Sequence, residues 1–272
     1  MKINKHHLWT LAACLALVSG CGNSNGVKLS LDFSKKPDWR YALSATVSGI
    51  ISSADTQRTF SSAAQCTLSG KPDAKNPALL HASVVSVAVT SNILGDEEIR
   101  NLKEQAKTMR LSCALGDGAI LPEDSSSVPV VKIGEWDLYK DLASTVPALP
   151  KIAVRPGAVW ERERSLPLDT KQGSAVGHLF QSFCMDSLRK DKSGAEIASL
   201  SWKFVYRVEF RERDTLGLYA GVPTAGSGTG SAIVNVTAKT LEAASVHLAV
   251  PAAPQGKFRI SWNENITLEL VK

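Results

Sequence analysis

From Val27 onward the chain alternates apolar and polar residues with a period of two, the signature of strands that bury one face. Val27, Leu29, Leu31 and Phe33 begin the pattern, and Trp39, Tyr41, Leu43, Ala45 and Val47 continue it against Arg40, Ser44, Thr46 and Ser48. Phe60 to Leu68 and Val85, Val87 and Val89 repeat it. Met109, Leu111, Cys113 and Leu115 form a fourth run that ends at Gly116-Asp117-Gly118, a hairpin sequence. Later, Leu200, Trp202, Phe204, Tyr206, Val208 and Phe210 alternate with polar residues. Val234 and Val236 face Val246, Leu248 and Val250 in a hairpin around Lys239 and Thr240. Phe258 to Leu270 alternates with an expected bulge or turn at Asn263-Glu264-Asn265.

Two helices break the pattern. Asp96, Glu97 and Glu98 suit a helix start, Ile99, Leu102 and Ala106 share a stripe, and Lys103 and Lys107 suit its end. A second is expected from Glu135 to Ser144, stopping before Pro147. The fold class is therefore mainly β, with antiparallel curved sheets and two short helices. Residues 122–150 read as a connector between two similar halves, 27–121 and 151–272. Each half holds a proline before a tryptophan (Pro37 and Trp39, Pro156 and Trp160), then a strand with a cysteine (Cys66, Cys184), then a long alternating strand. Duplication predicts corresponding places for these strands in two superimposable sheets.

The N-terminus changes the picture. Lys2 and Lys5 precede an apolar run from Leu8 to Val18, too short to span a bilayer, which takes about 20 residues. Val18-Ser19-Gly20-Cys21 resembles the lipobox of bacterial lipoprotein precursors. The resemblance implies a signal peptide over residues 1–20, diacylglycerol and then palmitate on Cys21, and a membrane anchor followed by a tether over 21–26. In the enterobacterial sorting rule, Gly22 implies the outer membrane, facing the periplasm. The tether reaches about 17 Å at most, so the domain should stay close to the bilayer.

Composition adds little: 44% hydrophobic and 21% charged residues suit a globular domain, and the formal charge of +5 falls to +3 without Lys2 and Lys5. That is too mild to argue for nucleic acid as a partner. Cys66, Cys113 and Cys184 remain in an oxidising compartment, where buried thiols and one bridge are both open. No metal-ligand spacing, nucleophile elbow or phosphate loop occurs, so no catalytic residue, metal or cofactor is expected. Gly226-Ser227-Gly228-Thr229-Gly230 reads as a connection between strands. The alternating charges of Trp160-Glu161-Arg162-Glu163-Arg164 read as ion pairs on a wet face.

Trp160, Trp202, Phe204, Tyr206 and Trp262 lie on apolar phases and are candidates to line a ligand cavity. In outline, curved antiparallel sheets tethered by lipid resemble outer-membrane lipoprotein carriers and receptors, and Pro156-Gly157-Ala158-Val159-Trp160 resembles a feature of uncharacterised envelope lipoproteins. The expectation is a non-catalytic envelope protein of binding or structural type. A carrier of lipid or another apolar ligand and an unrecognised envelope hydrolase are the alternatives.

Overall fold

The structure, a computed structural model, describes residues 26–77, 79–108, 110–114, 119–122, 132–133, 136–137, 144–170, 173–210, 225–255 and 258–271. The signal segment, Cys21 and the rest of the tether before Gly26 lie outside them, as do Met109, Gly116-Asp117-Gly118 and Arg211-Glu212-Arg213-Asp214.

Strands β1 (Trp39–Ser52), β2 (Gln57–Pro72), β3 (Leu79–Ser91), β4 (Arg110–Ala114) and β5 (Ala119–Pro122) form one meander. A second meander contains β8 (Val159–Thr170), β9 (Gly173–Lys190), β10 (Glu196–Phe210), β11 (Ala225–Asn235), β12 (Thr240–Gln255) and β13 (Phe258–Leu270). The two join where β1 pairs antiparallel with β13 from Tyr41↔Leu270 to Ser52↔Arg259. The result is one open 11-stranded antiparallel sheet, ordered β5-β4-β3-β2-β1-β13-β12-β11-β10-β9-β8. Register shifts in β2/β3, β9/β10, β11/β12 and β12/β13 mark bulges, which bend strands and curve the sheet.

The expected repetition of two sheets is therefore corrected. β1, which carries Trp39, lies inside the sheet, whereas β8, which carries Trp160, is an edge. Cys66 is buried between Ala64 and Leu68, while Cys184 alternates away from buried Phe183 and Met185, so the two thiols face opposite sides. They do not bridge each other, and Cys113's side chain lies outside the description. The same bulge logic overturns Val85: the shift between Thr67 and Leu68 leaves Leu80, Ala82, Val84 and Val89 inside and turns Val85 outward at 55% exposure.

Of the two expected helices, the first is found whole among the described residues. Helix α1 (Asp96–Lys107) begins with three acids and a backbone N–H of Gly95 donated to Glu98 Oε2 at 2.9 Å, and it packs beside β3 through Ala106. In the second, Trp136 and Asp137 are not helical: β7 (Trp136–Asp137) pairs with β6 (Lys132–Ile133) in a small hairpin. Ser144 and Thr145 take helical backbone, and 138–143 lie outside the described residues. The hairpin at Lys239 forms as expected, with Lys239 in the left-handed region at φ 57°.

One face of the sheet carries the core. Leu29, Leu31 and Phe33 do not form a strand there. They make a strap held by Val27 pairing with Val154, by Asp32 N–H to the Lys239 carbonyl and by Phe33 N–H to the Pro77 carbonyl. The strap ties the β11–β12 turn to the β2–β3 turn across the concave side. Each fully buried apolar side chain adds about 1.5–3 kcal/mol, and Phe33 is fully buried.

Candidate functional site

Strands β8, β9 and β10 position the aromatic candidates. Register sets Trp160 opposite Phe183, Phe183 opposite Trp202, and Trp202 opposite Gly230. The rings therefore form a tier across three strands. Trp160 stacks on Phe183 with centroids 5.6 Å apart, and Phe183 meets Trp202 at 5.5 Å. Phe204 is buried on the next tier, Tyr206 is partly buried beyond it, and Trp262 of β13 is partly buried on the same face. All five sequence candidates thus share the concave side, with Trp262 on a strand distant from the other four.

The glycine run is not a loop. It lies within β11, where Gly226, Gly228 and Gly230 stand opposite Tyr206, Phe204 and Trp202. A Cβ at Gly230 would collide with the Trp202 indole and one at Gly228 with the Phe204 ring, so only glycine lets these rings lie across the neighbouring strand. The absence of a side chain at alternate positions is the complement of the large one at alternate positions on β10.

Polar groups interrupt this aromatic face, in an order that differs from ion pairing on one wet face. Glu161 and Glu163 point outward, but Arg162 and Arg164 share the phase of Trp160, so the alternating charges divide between the two faces instead of pairing on one. Arg162 is partly buried and stands opposite Gln181. Gln181 is 2% exposed, and neither its amide nitrogen nor its amide oxygen has a hydrogen-bond partner. The Trp202 Nε1–H is also buried without an acceptor. Among the described residues, Arg162 has no ion pair or hydrogen bond. On the same tier, Glu264 of β13 is 2% exposed and lies opposite Val47 and Leu248. The expected bulge at Asn263-Glu264-Asn265 is therefore absent: β13 runs through it in regular register with β1.

Segment 144–154 covers the β8 side of this face. Trp160 Nε1–H donates to the Ala148 carbonyl at 2.7 Å, and Arg164 donates to the Val146 carbonyl at 3.4 Å. Val146 and Ala148 are fully buried. On the opposite face, Glu161, Glu163, Phe180, Ser182, Lys203 and Val205 surround a shallow depression of about 460 Å³, which Arg162, Gln181 and Phe204 also line.

A lone histidine along the chain, His81 of β3, gains partners in the fold. His81 Nε2 lies 3.0 Å from Asp73 Oδ2 and its Nδ1 lies 3.1 Å from Ser112 Oγ. The His81 hydrogen bond, with backbone N–H groups of Lys75 and Asn76, holds the Asp73 carboxyl at about 2, below its ordinary 3.8. A neutral imidazole can then donate to Asp73 and accept from Ser112. The order resembles a nucleophile relay, but Ser112 is 7% exposed in β4, which is laddered to β3 and β5, so the strand backbone offers no free pair of N–H groups for an oxyanion. Its effect is to clamp the β2–β3 turn to β4. Proximity through the fold, invisible in residue spacing, created the cluster.

Among the described residues there is no group of three or more metal-ligating side chains, and no helix is long and apolar enough to cross a membrane.

No family model and no curated protein matches the chain. Among solved structures, it is similar to one described as lipid-protein interactions in lipovitellin, at TM-score 0.44 and 8% identity, covering 86% of this chain and 25% of that one. It is also similar to DynF from the dynemicin biosynthesis pathway of Micromonospora chersina, at 0.20 and 5%, covering 90% of each chain. The third is Pseudomonas aeruginosa OccK2 (OpdF) in complex with glucuronate, at 0.23 and 8%, covering 91% of this chain and 100% of that one. Likeness at these levels establishes neither a shared fold nor a shared activity.

Proposed function

We propose that this chain is a non-catalytic, lipid-anchored protein of the bacterial cell envelope, attached through Cys21 to the outer membrane on its periplasmic side, and that it binds an apolar chain on the concave face of its sheet. The observation that carries the binding is the Trp160–Phe183–Trp202 tier, set against the glycines of β11 and interrupted by polar groups that the protein leaves unpartnered. A core built only for stability pairs such groups. Ligand sites combine an apolar lining with a few polar groups that await a partner. The lipobox residues 18–21 and the short apolar segment before them support the anchor. Segment 144–154 supplies the cover, held by the Trp160 and Arg164 hydrogen bonds and by the backbone pair of Val154 with Val27.

The test is native mass spectrometry of the full-length protein extracted from its own membrane, together with labelled-palmitate incorporation in wild type and Cys21→Ser. Wild type should take the label and carry an additional noncovalent mass that denaturation releases. Label that persists in Cys21→Ser would remove the anchor. A protein that never carries a releasable ligand, alone or after incubation with membrane lipid extract, would remove the binding role.

A further inference from the structure

Gln181 and Arg162 face each other across the β8–β9 ladder, and among the described residues neither has a side-chain partner. Directly opposed residues hold their Cβ atoms about 4.5–5.5 Å apart, so one small group can touch both side chains. A buried primary amide with both ends unsatisfied is unfavourable, and so is a guanidinium set against an aromatic wall without an anion. The surrounding positions on this face are Trp160 and Arg164 on β8, Leu179 and Phe183 on β9, and Trp202, Phe204 and Tyr206 on β10. None is acidic. The acids nearest in sequence, Glu161 and Glu163, point to the other side of the sheet. Among these described neighbours the charged groups, Arg162 and Arg164, are both positive, and the buried acid on the same tier, Glu264, lies away on β13.

Resting on the binding role above, we infer that the ligand is an anionic amphiphile whose oxyanion head, a phosphate or a carboxylate, is held by the Arg162 guanidinium and the Gln181 Nε2–H, with its tail along the Phe183–Trp202 tier. Arginine carries five donors and no acceptor, in a geometry that matches a planar or tetrahedral oxyanion. The Gln181 nitrogen adds a donor from the neighbouring strand. Its amide oxygen accepts from the guanidinium or from a hydroxyl of the head. A cationic head meets the same positive groups and is rejected. A neutral head leaves the guanidinium unpaired and gains only the tail contacts. On the neighbouring strand and one tier along from Gln181, the unpartnered Trp202 N–H offers a further donor along the tail's path.

The full-length protein, purified in a neutral maltoside detergent, is titrated by native mass spectrometry with five probes: dodecyl phosphate, dodecanoate, dodecanol, dodecyltrimethylammonium and inorganic phosphate. Wild type should bind dodecyl phosphate, dodecanoate or both about tenfold or more tightly than dodecanol, as charge-assisted hydrogen bonds imply. It should bind the trimethylammonium probe more weakly than dodecanol and inorganic phosphate not at all. The two acidic probes distinguish phosphate from carboxylate. Arg162→Gln should erase the acid preference, bringing dodecyl phosphate and dodecanoate down to the affinity of dodecanol. Equal affinity for acids and dodecanol, or an acid preference that survives in Arg162→Gln, overturns the oxyanion head while the binding role stands. Inorganic phosphate binding as tightly as dodecyl phosphate overturns the amphiphile. Failure of every dodecyl probe to bind removes the binding role and this inference with it.

Discussion

The β1–β2 flank and the β8–β10 flank present the same alternation to the same concave side, but they treat their polar atoms differently. On the first, the Trp39 indole donates to the Phe33 carbonyl at 2.7 Å, the Tyr41 hydroxyl donates to the Leu241 carbonyl at 3.1 Å, and the Ser62 and Ser91 hydroxyls pair at 2.8 Å. On the second, the Trp202 indole and both ends of the Gln181 amide have no partner. The first flank also receives the strap, whose Phe33 ring meets Trp39 edge-on at 5.0 Å. Burial alone does not separate the two, since Trp39 and Trp202 are each 2% exposed. Hydrogen-bond completion does. A face that evolves only for stability has no reason to leave an amide unpaired, which is why the difference marks the β8–β10 flank for binding.

Breaking the completed flank should have the largest effect. Trp39→Ala removes a buried ring, an indole hydrogen bond and the strap's seat, and should cost about 3–5 kcal/mol in reversible unfolding. Trp202→Ala deletes a ring with no hydrogen bond to lose and should cost less. A larger loss at Trp202 than at Trp39 would contradict the contrast between flanks. Next, Gly230→Val places a branched side chain where the Trp202 indole lies and should cost about 1–3 kcal/mol by overpacking. The near-ultraviolet circular dichroism of the aromatic tier should change with it, and an unchanged spectrum would show that the ring does not rest on that glycine.

A change of sign sharpens the comparison. Gln181→Met keeps the volume and removes an unsatisfied amide, so it should raise stability by about 1–2 kcal/mol. Ser62→Ala, at a completed pair, should lower it by about 1 kcal/mol because the Ser91 hydroxyl loses one of its hydrogen bonds and keeps only those from the Ile93 and Leu94 N–H groups. Denaturant midpoints for the two variants should move in opposite directions. The smallest effect belongs to the Asp73 clamp. Its carboxyl titrates lower in the folded protein than in the unfolded chain, so its stabilisation is complete above its ordinary 3.8 and disappears as pH falls towards about 2. The difference in melting temperature between wild type and Asp73→Ala should shrink across that interval. A constant difference would mean that the carboxylate's charge plays no part.

Much of the strand content was legible because alternation is local. The phases of Trp39, Trp202 and Phe204, helix α1 and the Lys239 hairpin all follow from residues close in sequence. The single sheet was not, because pairing Tyr41 with Leu270 is a long-range choice that neither strand announces. Asn263-Glu264-Asn265 reads as a turn by composition, yet a partner strand on each side holds it extended. The site was readable in part. Gln181 falls in phase with Leu179 and Phe183, and Arg162 with Trp160, which places polar groups on the buried side. Their lack of partners could be seen only once neighbouring strands were in register.

The seam between β1 and β13 also bears on when the protein can assemble. Its ladder joins opposite ends of the described chain, so the central rung of the sheet is missing until β13 has been delivered. Such distant pairing is slow to form. Until then β1 and β12 are long unpaired edges, open to pairing with other chains. A shortened chain lacking residues 258–270 would keep both edges permanently, and its fate would be aggregation or proteolysis in place of a smaller but functional domain.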